Sequence, residues 1–227
     1  MSSTRFTQVG FPMAESASLI EQVINRIRDE VCSGNLLPGQ RVNVTAMSQK
    51  YLCSKSTVRM ALSRLVGEGL LEIHTNDGFY RPLVTDQSAR DQYRWNMEVL
   101  LMGLDNATVN PNPSIEPAPF VPGPDPVADI ERLFSLVAAL ADNKHFVREI
   151  KRQNAILHPL RLRKADLNLA SSGELQAFAD AWLRQDTGAL RELIVAYHKR
   201  RLNIVPQIVT QAYGATGSDL INPSDGI

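Results

Sequence analysis

The chain is short of almost everything that would mark a catalyst, a secreted scaffold or a membrane protein. Cysteine occurs twice in 227 residues, as Cys32 and Cys53. That number and spacing provide neither a disulfide framework nor a metal-binding pair, and the expectation is two small buried residues in a reducing compartment. No run of about 18 apolar residues occurs, which argues against a membrane-spanning helix. The N-terminus lacks the continuous apolar core of an export signal, so the expected location is the cytoplasm. Net charge is absent too: 24 Lys+Arg balance 24 Asp+Glu, for a formal charge of +0. This argues against a polyanion-binding role for the whole protein but leaves room for a compact basic patch. There is no nucleophile elbow, no glycine-rich phosphate loop and no HExxH, so the chain is not expected to be an enzyme.

What is present is a local charge bias. Between Arg41 and Arg64 lie five basic residues, Arg41, Lys50, Lys55, Arg59 and Arg64, and no acidic one. The surrounding pattern supplies helix, turn, helix and hairpin. Leu19, Val23, Ile24, Ile27 and Val31 recur at helical spacing and predict a helix over 16–32, with Ser16 or Ser18 as its cap and Gly34 at its end. Pro38-Gly39 fits a tight turn. Thr45 is the expected N-cap of a short helix ending near Tyr51, Leu52-Cys53 the turn, and Ser54 the cap of a longer helix to about Glu68, closed by Gly69. Met47, Tyr51, Val58, Ala61, Leu62 and Leu65 are the apolar positions that join the two. Strands are expected over 70–74 and 79–84, around a Thr75-Asn76-Asp77-Gly78 turn.

This is the layout of a winged helix-turn-helix. The start of the second helix offers Ser54, Lys55, Ser56, Thr57 and Arg59. Hydroxyls and backbone N–H groups at a helix N-terminus suit phosphate oxygens, and Lys55 and Arg59, four apart, share a face. One of them can read guanine, at about 1–3 kcal/mol of discrimination. Arg41 and Lys50 are placed to hold the DNA backbone, Asn76 and Gly78 to approach the minor groove or phosphates. Arg64 lies too far along the helix to reach bases. The competing reading is an ordinary solvated helix pair, against which stand the turn chemistry, the missing acids and the wing that follows.

Beyond about residue 88 only helices are expected: 91–107, 127–141, 144–157, 160–169, 174–184 and 187–212, with Pro206 a kink and His158, before Pro159, at a break. The segment Pro111–Pro126, with seven prolines, cannot be a regular element. The fold class is mainly α: a flexible arm over 1–14, a winged helix-turn-helix over 15–85, an all-helical effector and dimerisation domain over 86–213, and a flexible tail over 214–227.

Two stretches carry a resemblance. Gly34-Asn35-Leu36-Leu37-Pro38-Gly39-Gln40-Arg41, together with Cys53-Ser54-Lys55-Ser56-Thr57-Val58-Arg59-Met60-Ala61-Leu62-Ser63-Arg64-Leu65 and the Gly69-Leu70 that follows, resembles the N-terminal domain of the GntR family of bacterial transcription regulators. The first stretch is one residue longer than the usual spacing, and Lys55 stands where that family often has arginine, losing the bidentate fork. The resemblance covers about 60 residues and implies a DNA-binding regulator, dimeric on a palindromic operator. In the helical half, Arg94-Trp95-Asn96-Met97-Glu98 and Glu174 to Asp186 resemble the FCD (FadR-like) subgroup, which implies an effector-binding bundle.

Many members of that subgroup hold a divalent metal, zinc or nickel, with one aspartate and three histidines. His145 and His198 match the first and last histidines. Leu175 stands at the middle one, Ala141 at the aspartate with Asp142 one residue later, and the Asp186–His198 spacing is one too long. The set is broken, and the preferred reading of His145, His158 and His198 is ordinary surface or core histidines. A second feature is the basic density of Lys144, Arg148, Lys151, Arg152, Arg161, Arg163 and Lys164. Arg148 and Arg152 can clamp a carboxylate effector, with Arg94, His145 and His198 as further effector candidates. The bland reading, a solvated basic face, is favoured. Three functions stay open: a ligand-responsive repressor, a metal sensor or enzyme-like helical domain, and an architectural DNA-binding protein without effector.

Overall fold

The computed structural model describes residues 13–74, 78–109, 118–163 and 172–214, with side chains from residue 21 onward, 172 excepted. In chain order the elements are α1 (Met13–Cys32), α2 (Val44–Lys50), α3 (Lys55–Gly67), β1 (Glu72–His74), β2 (Gly78–Tyr80), α4 (Asp86–Val109), α5 (Pro126–Leu140), α6 (Lys144–Arg161), α7 (Ser172–Leu183), α8 (Thr187–Asn203) and α9 (Val205–Ala212).

α1 starts before the expected Ser16 or Ser18 cap, so both serines lie inside the helix. The cap of α2 is Asn43, not Thr45: Ala46 N–H donates to Asn43 Oδ1 at 2.9 Å. Val42 is held in extended backbone by its N–H bond to Phe79 O (2.8 Å), which places the coil-to-helix transition at residue 43. Ser54 caps α3 as expected, accepting from Thr57 N–H at 3.1 Å, and Gly69 at φ +77 follows the helix end. The α2–α3 turn depends on Leu52 in the left-handed region, at φ 51.

The hairpin pairs Glu72 with Tyr80, Ile73 with Phe79 and His74 with Gly78. Both strands are shorter than expected; at the start of the first, Leu70 and Leu71 are buried in the core instead. The return strand gains a second neighbour: the segment after Pro38-Gly39 runs beside it, with an Arg41–Tyr80 bridge and an Arg81 N–H bond to Gln40 O at 2.9 Å. Ile27, Val31, Met47, Val58, Leu62, Leu65 and Phe79 form the core of this N-terminal half.

The helical half packs α4 against α5, α6 and α8 around Leu100, Leu104, Leu133, Phe134, Phe178, Trp182, Ile194 and Tyr197. α4 is longer than expected at both ends. Asp125 caps α5, with Pro126 at its first position, where its missing N–H costs nothing. His158 does not mark a break: α6 runs through Pro159 to Arg161. The lost bond is one turn from the helix end, where Leu162 N–H still reaches His158 O at 3.1 Å. The expected helix over 160–169 has its first two residues in α6 and falls from 164 onward outside the described residues. The expected long last helix is two, divided at Ile204, with Pro206 in the first turn of α9. A third cluster, Ala89, Tyr93, Leu157, Leu160, Val205 and Ile208, joins α4, α6 and α9. Ala155 and Ile156 on α6 pack against the N-terminal core, so α6 is shared by both halves.

Candidate nucleic-acid interface

The cations of the helix-turn-helix divide into two groups. Lys50 is tied to Glu30 of α1 at 3.0 Å. Burial works against the Glu30 carboxylate, but hydrogen bonds from Tyr51 and Lys50 outweigh it and hold its pKa below the ordinary value. Arg64 reaches Glu21 at 2.8 Å and Glu68 at 3.5 Å. Arg28 pairs with Glu68 through both guanidinium nitrogens, closing the end of α3 onto α1. Lys50, proposed from the sequence as a backbone contact, therefore carries a structural ion pair that DNA would have to displace.

Lys55 and Arg59 form the other group. Both are exposed, and neither has an ion pair among the described residues. They stand beside Ser54, Ser56 and Thr57, whose hydroxyls form one cluster with Ser54 Oγ 2.6 Å from Ser56 Oγ and 2.9 Å from Thr57 Oγ1. Val58, Ala61, Leu62 and Leu65 bury the opposite face of α3, which fixes the cationic face outward. Met60, half exposed, shares that outward face.

Arg41 is exposed beside the wing, and its guanidinium lies 3.4 Å from where a Cβ on Gly78 would sit. Gly78 has φ +107, so a side chain there would be strained. Asn76 lies outside the described residues. Sequence reasoning missed His74 and Tyr80, whose rings stack at 4.4 Å between the two wing strands, with His74 Nε2 2.9 Å from Glu72 Oε1. The period-2 alternation of Glu72-Ile73-His74 was the available signal, since it puts the acid and the imidazole on one face.

In the helical half the basic run is not one solvated face. Lys144, Arg148 and Lys151 are exposed, but Arg161 is 1% exposed. Its Nη1 donates to Glu131 Oε1 at 3.1 Å and Asn154 Oδ1 at 3.0 Å, over the Phe134 ring. Arg201, also 1% exposed, makes two 2.8 Å bonds to Glu174 and lies over Tyr197. The Arg148–Arg152 clamp is not open to a ligand. Arg152 donates to both carboxylate oxygens of Glu149 (3.0 and 2.8 Å) and reaches Glu68 O at the end of α3 (3.4 Å). The Arg152 hydrogen bond, with those from Gln153 and Trp95, holds the Glu149 carboxyl down at about 2. Arg94 is on the surface near Asp91 at 3.6 Å.

His145 and His198 do not form a metal centre. His145 is exposed in the first turn of α6, while His198 is fully buried in the bundle. Leu175, at the place of the missing histidine, is buried apolar surface. Both His198 nitrogens are engaged: Nδ1 donates to Ile194 O at 2.7 Å, and Nε2 lies 3.0 Å from Asn96 Oδ1. Among the described residues no three His, Cys, Asp or Glu side chains converge. The donor set does not fit a metal.

Burial drives the His198 pKa down to about 3, so the ring is neutral. Nδ1–H then serves Ile194 O, while Asn96 Oδ1 also accepts from Arg161 Nη2 at 3.4 Å. An unfolded histidine titrates near 6.5. This contribution to stability is therefore complete above about pH 6.5 and is lost as pH falls toward 3, at about 1.4 kcal/mol per unit. Urea denaturation of the native protein should lose about 2 kcal/mol more between pH 6.5 and 5 than that of His198→Gln. Parallel losses in the two proteins would remove the neutral buried imidazole.

Residues 19–80 match the family described as bacterial regulatory proteins, gntR family. The chain is 36% identical over 80 residues to the uncharacterized HTH-type transcriptional regulator BphR of Paraburkholderia xenovorans (strain LB400), covering 35% of this chain and 31% of that protein. It is 30% identical over 70 residues to the uncharacterized HTH-type transcriptional regulator YdhC of Bacillus subtilis (strain 168), covering 31% and 30%. The matched stretch thus spans about a third of the length of these curated relatives. Among solved structures, E. coli McbR/YncC superposes with a TM-score of 0.60 at 17% identity, over 83% of this chain and 97% of that one. A putative transcriptional regulator GntR from Rhodococcus sp. RHA1 gives 0.58 at 19%, over 86% and 99%. At such identities these two show the fold alone, and they show it for both halves. Over residues 19–80 the chain is therefore similar to the gntR family of bacterial regulatory proteins, and as a whole it shares the fold of these two solved structures.

Proposed function

We propose that this chain is a ligand-responsive transcriptional repressor that binds a palindromic operator as a homodimer. Its helical half belongs to the FCD subgroup and answers to a small carboxylate metabolite. The observation that carries the reading is the partition of charge across the three helices of the N-terminal half. Lys50, Arg64 and Arg28 are paired within the domain, whereas Lys55 and Arg59 face outward beside three hydroxyls and without carboxylates among the described residues. Cations left unpaired on a rigid helix are placed for phosphates and base edges. One such helix specifies few base pairs, so a palindrome read by two copies supplies the rest. The length and order of α4 to α9 support the FCD assignment. The broken ligand set favours an effector held by protein side chains rather than through a metal. The cytoplasm follows from the DNA partner, and no described helix is long and apolar enough to cross a membrane.

Footprinting on the DNA upstream of the protein's own coding sequence tests this reading. Two protected half-sites should appear about 10 base pairs apart, or a multiple of that, related by twofold symmetry. Affinity should fall steeply with salt as phosphate contacts release counterions. A single asymmetric footprint, or none, would sink the dimeric operator reading.

A further inference from the structure

Buried guanidiniums in the helical half have carboxylates: Arg161 has Glu131 and Arg201 has Glu174. Where the two halves meet, this rule fails. Arg81, at the exit of the wing, is only 7% exposed, and among the described residues its side chain's one hydrogen bond goes to Val31 O in the last turn of α1. No carboxylate pairs with it among the described residues. The cation near it is Arg163, which donates to Pro159 O at 2.7 Å and Gly34 O at 3.0 Å and likewise has no carboxylate among the described residues. Burial lowers the pKa of both guanidiniums; at Arg81 the neighbouring Cys32 works the other way and Arg163 lowers it again. The carbonyl end of α1 offsets part of this, but a buried cation facing a second cation remains short of negative charge.

Arg81 also lines a cavity of about 140 Å³ between the halves. Apart from Arg81, Ser88 and Gln92 its walls are apolar, with Leu70 and Val84 from the wing side, Ala89 from α4, and Ile156 and Leu160 from α6. One further wall residue, Gln92, has a buried Oε1 with no hydrogen-bond partner. Among the described residues, the space in the bundle between Arg161, Leu175, Tyr197 and Arg201 is about 10 Å³, enough for no more than about one water. An apolar cavity of about 150 Å³ accepts a benzene-sized molecule.

We propose that this interdomain cavity binds a small apolar monocarboxylate, its carboxylate against Arg81, its compact body against Leu70, Ala89, Ile156 and Leu160. A hydroxyl on that body would meet Gln92 Oε1. The walls come from the end of the DNA-binding half and from α4 and α6, so an occupant ties the base of the wing to the bundle. It would shift operator affinity by its preference for one orientation of the two halves. That consequence rests on the regulator reading; the binding itself does not.

Calorimetric titration of the full chain with benzoate, 3-methylbutanoate and the neutral benzyl alcohol tests the site. At least one acid should bind, at least tenfold more tightly than the alcohol. Arg81→Met should bring the acid down to the level of the alcohol. Ala89→Leu, which fills the cavity and leaves Arg81 in place, should abolish binding of acid and alcohol alike. Failure of both acids to bind, equal binding of acid and alcohol, or undiminished binding by Ala89→Leu overturns the proposal. Should Arg81→Met not fold, the acid–alcohol comparison and Ala89→Leu decide alone. Gel shifts run in parallel separate the two ideas: operator binding without acid binding removes this site and leaves the regulator, and acid binding without operator binding does the reverse.

Discussion

Alanine at both Lys55 and Arg59 is expected to weaken operator binding about a hundredfold or more, with the thermal midpoint almost unchanged. Each base-edge interaction is worth about 1–3 kcal/mol, and removing a cation that neutralises a phosphate reduces the salt slope by about 0.9. Neither side chain pairs with a carboxylate among the described residues, and both are exposed, so their removal costs the fold little. The single variants sort their roles. A base-reading residue, once removed, relaxes sequence preference at one position, whereas a phosphate-binding residue weakens all sequences alike. Arg64→Ala is the control. Its partners Glu21 and Glu68 belong to the same domain, so it should cost under about 1 kcal/mol of stability and leave affinity within a few-fold. Gel shifts in which Lys55→Ala/Arg59→Ala binds as the native protein does would take α3 out of the groove.

The helix-turn-helix was legible because its signals are local. Ser54 caps α3 three residues from Thr57 N–H and Gly69 takes the positive φ that ends it, while the expected wing turn at Thr75, Asn76 and Asp77 lies outside the described residues. Errors arose where a distant segment decides a local choice. Asn43 and Thr45 are both competent caps, and the bond from Val42 to Phe79, 37 residues on, selects the former. Pro159 reads as a break in any window, yet it sits one turn from the end of α6, where the lost bond matters least. The basic run from Lys144 to Arg163 has no single face, because Glu131, on another helix, draws Arg161 into the bundle. No local pattern shows that the counter-ion of Arg161 lies 30 residues upstream, nor that Arg81 has none among the described residues. The metal set is the opposite case. Leu175 alone already argued against it, and the engaged nitrogens of His198 give the physical reason.

Removing the carboxylate of Glu174 should be the most destabilising single change in the helical half. Glu174 sits at the start of α7 with its side chain 6% exposed and holds Arg201 of α8 through two 2.8 Å bonds, with Arg200 on the same carboxylate. The pair is not a large net gain over apolar residues, because desolvation of two charges consumes most of its attraction. Breaking it is different. Glu174→Ala leaves a guanidinium that is 1% exposed deprived of this counter-ion, at a cost of about 3–5 kcal/mol, or roughly 10 °C in thermal midpoint. Glu174→Met with Arg201→Met removes both charges and keeps the volume, so it should recover most of that loss. A drop of less than about 1 kcal/mol for Glu174→Ala would mean that the carboxylate is not what keeps Arg201 in the bundle. If the loss is large but the double methionine variant does not recover, packing over Tyr197 rather than charge holds α7 to α8. The two outcomes distinguish a bundle held by its buried ions from one that merely accommodates them.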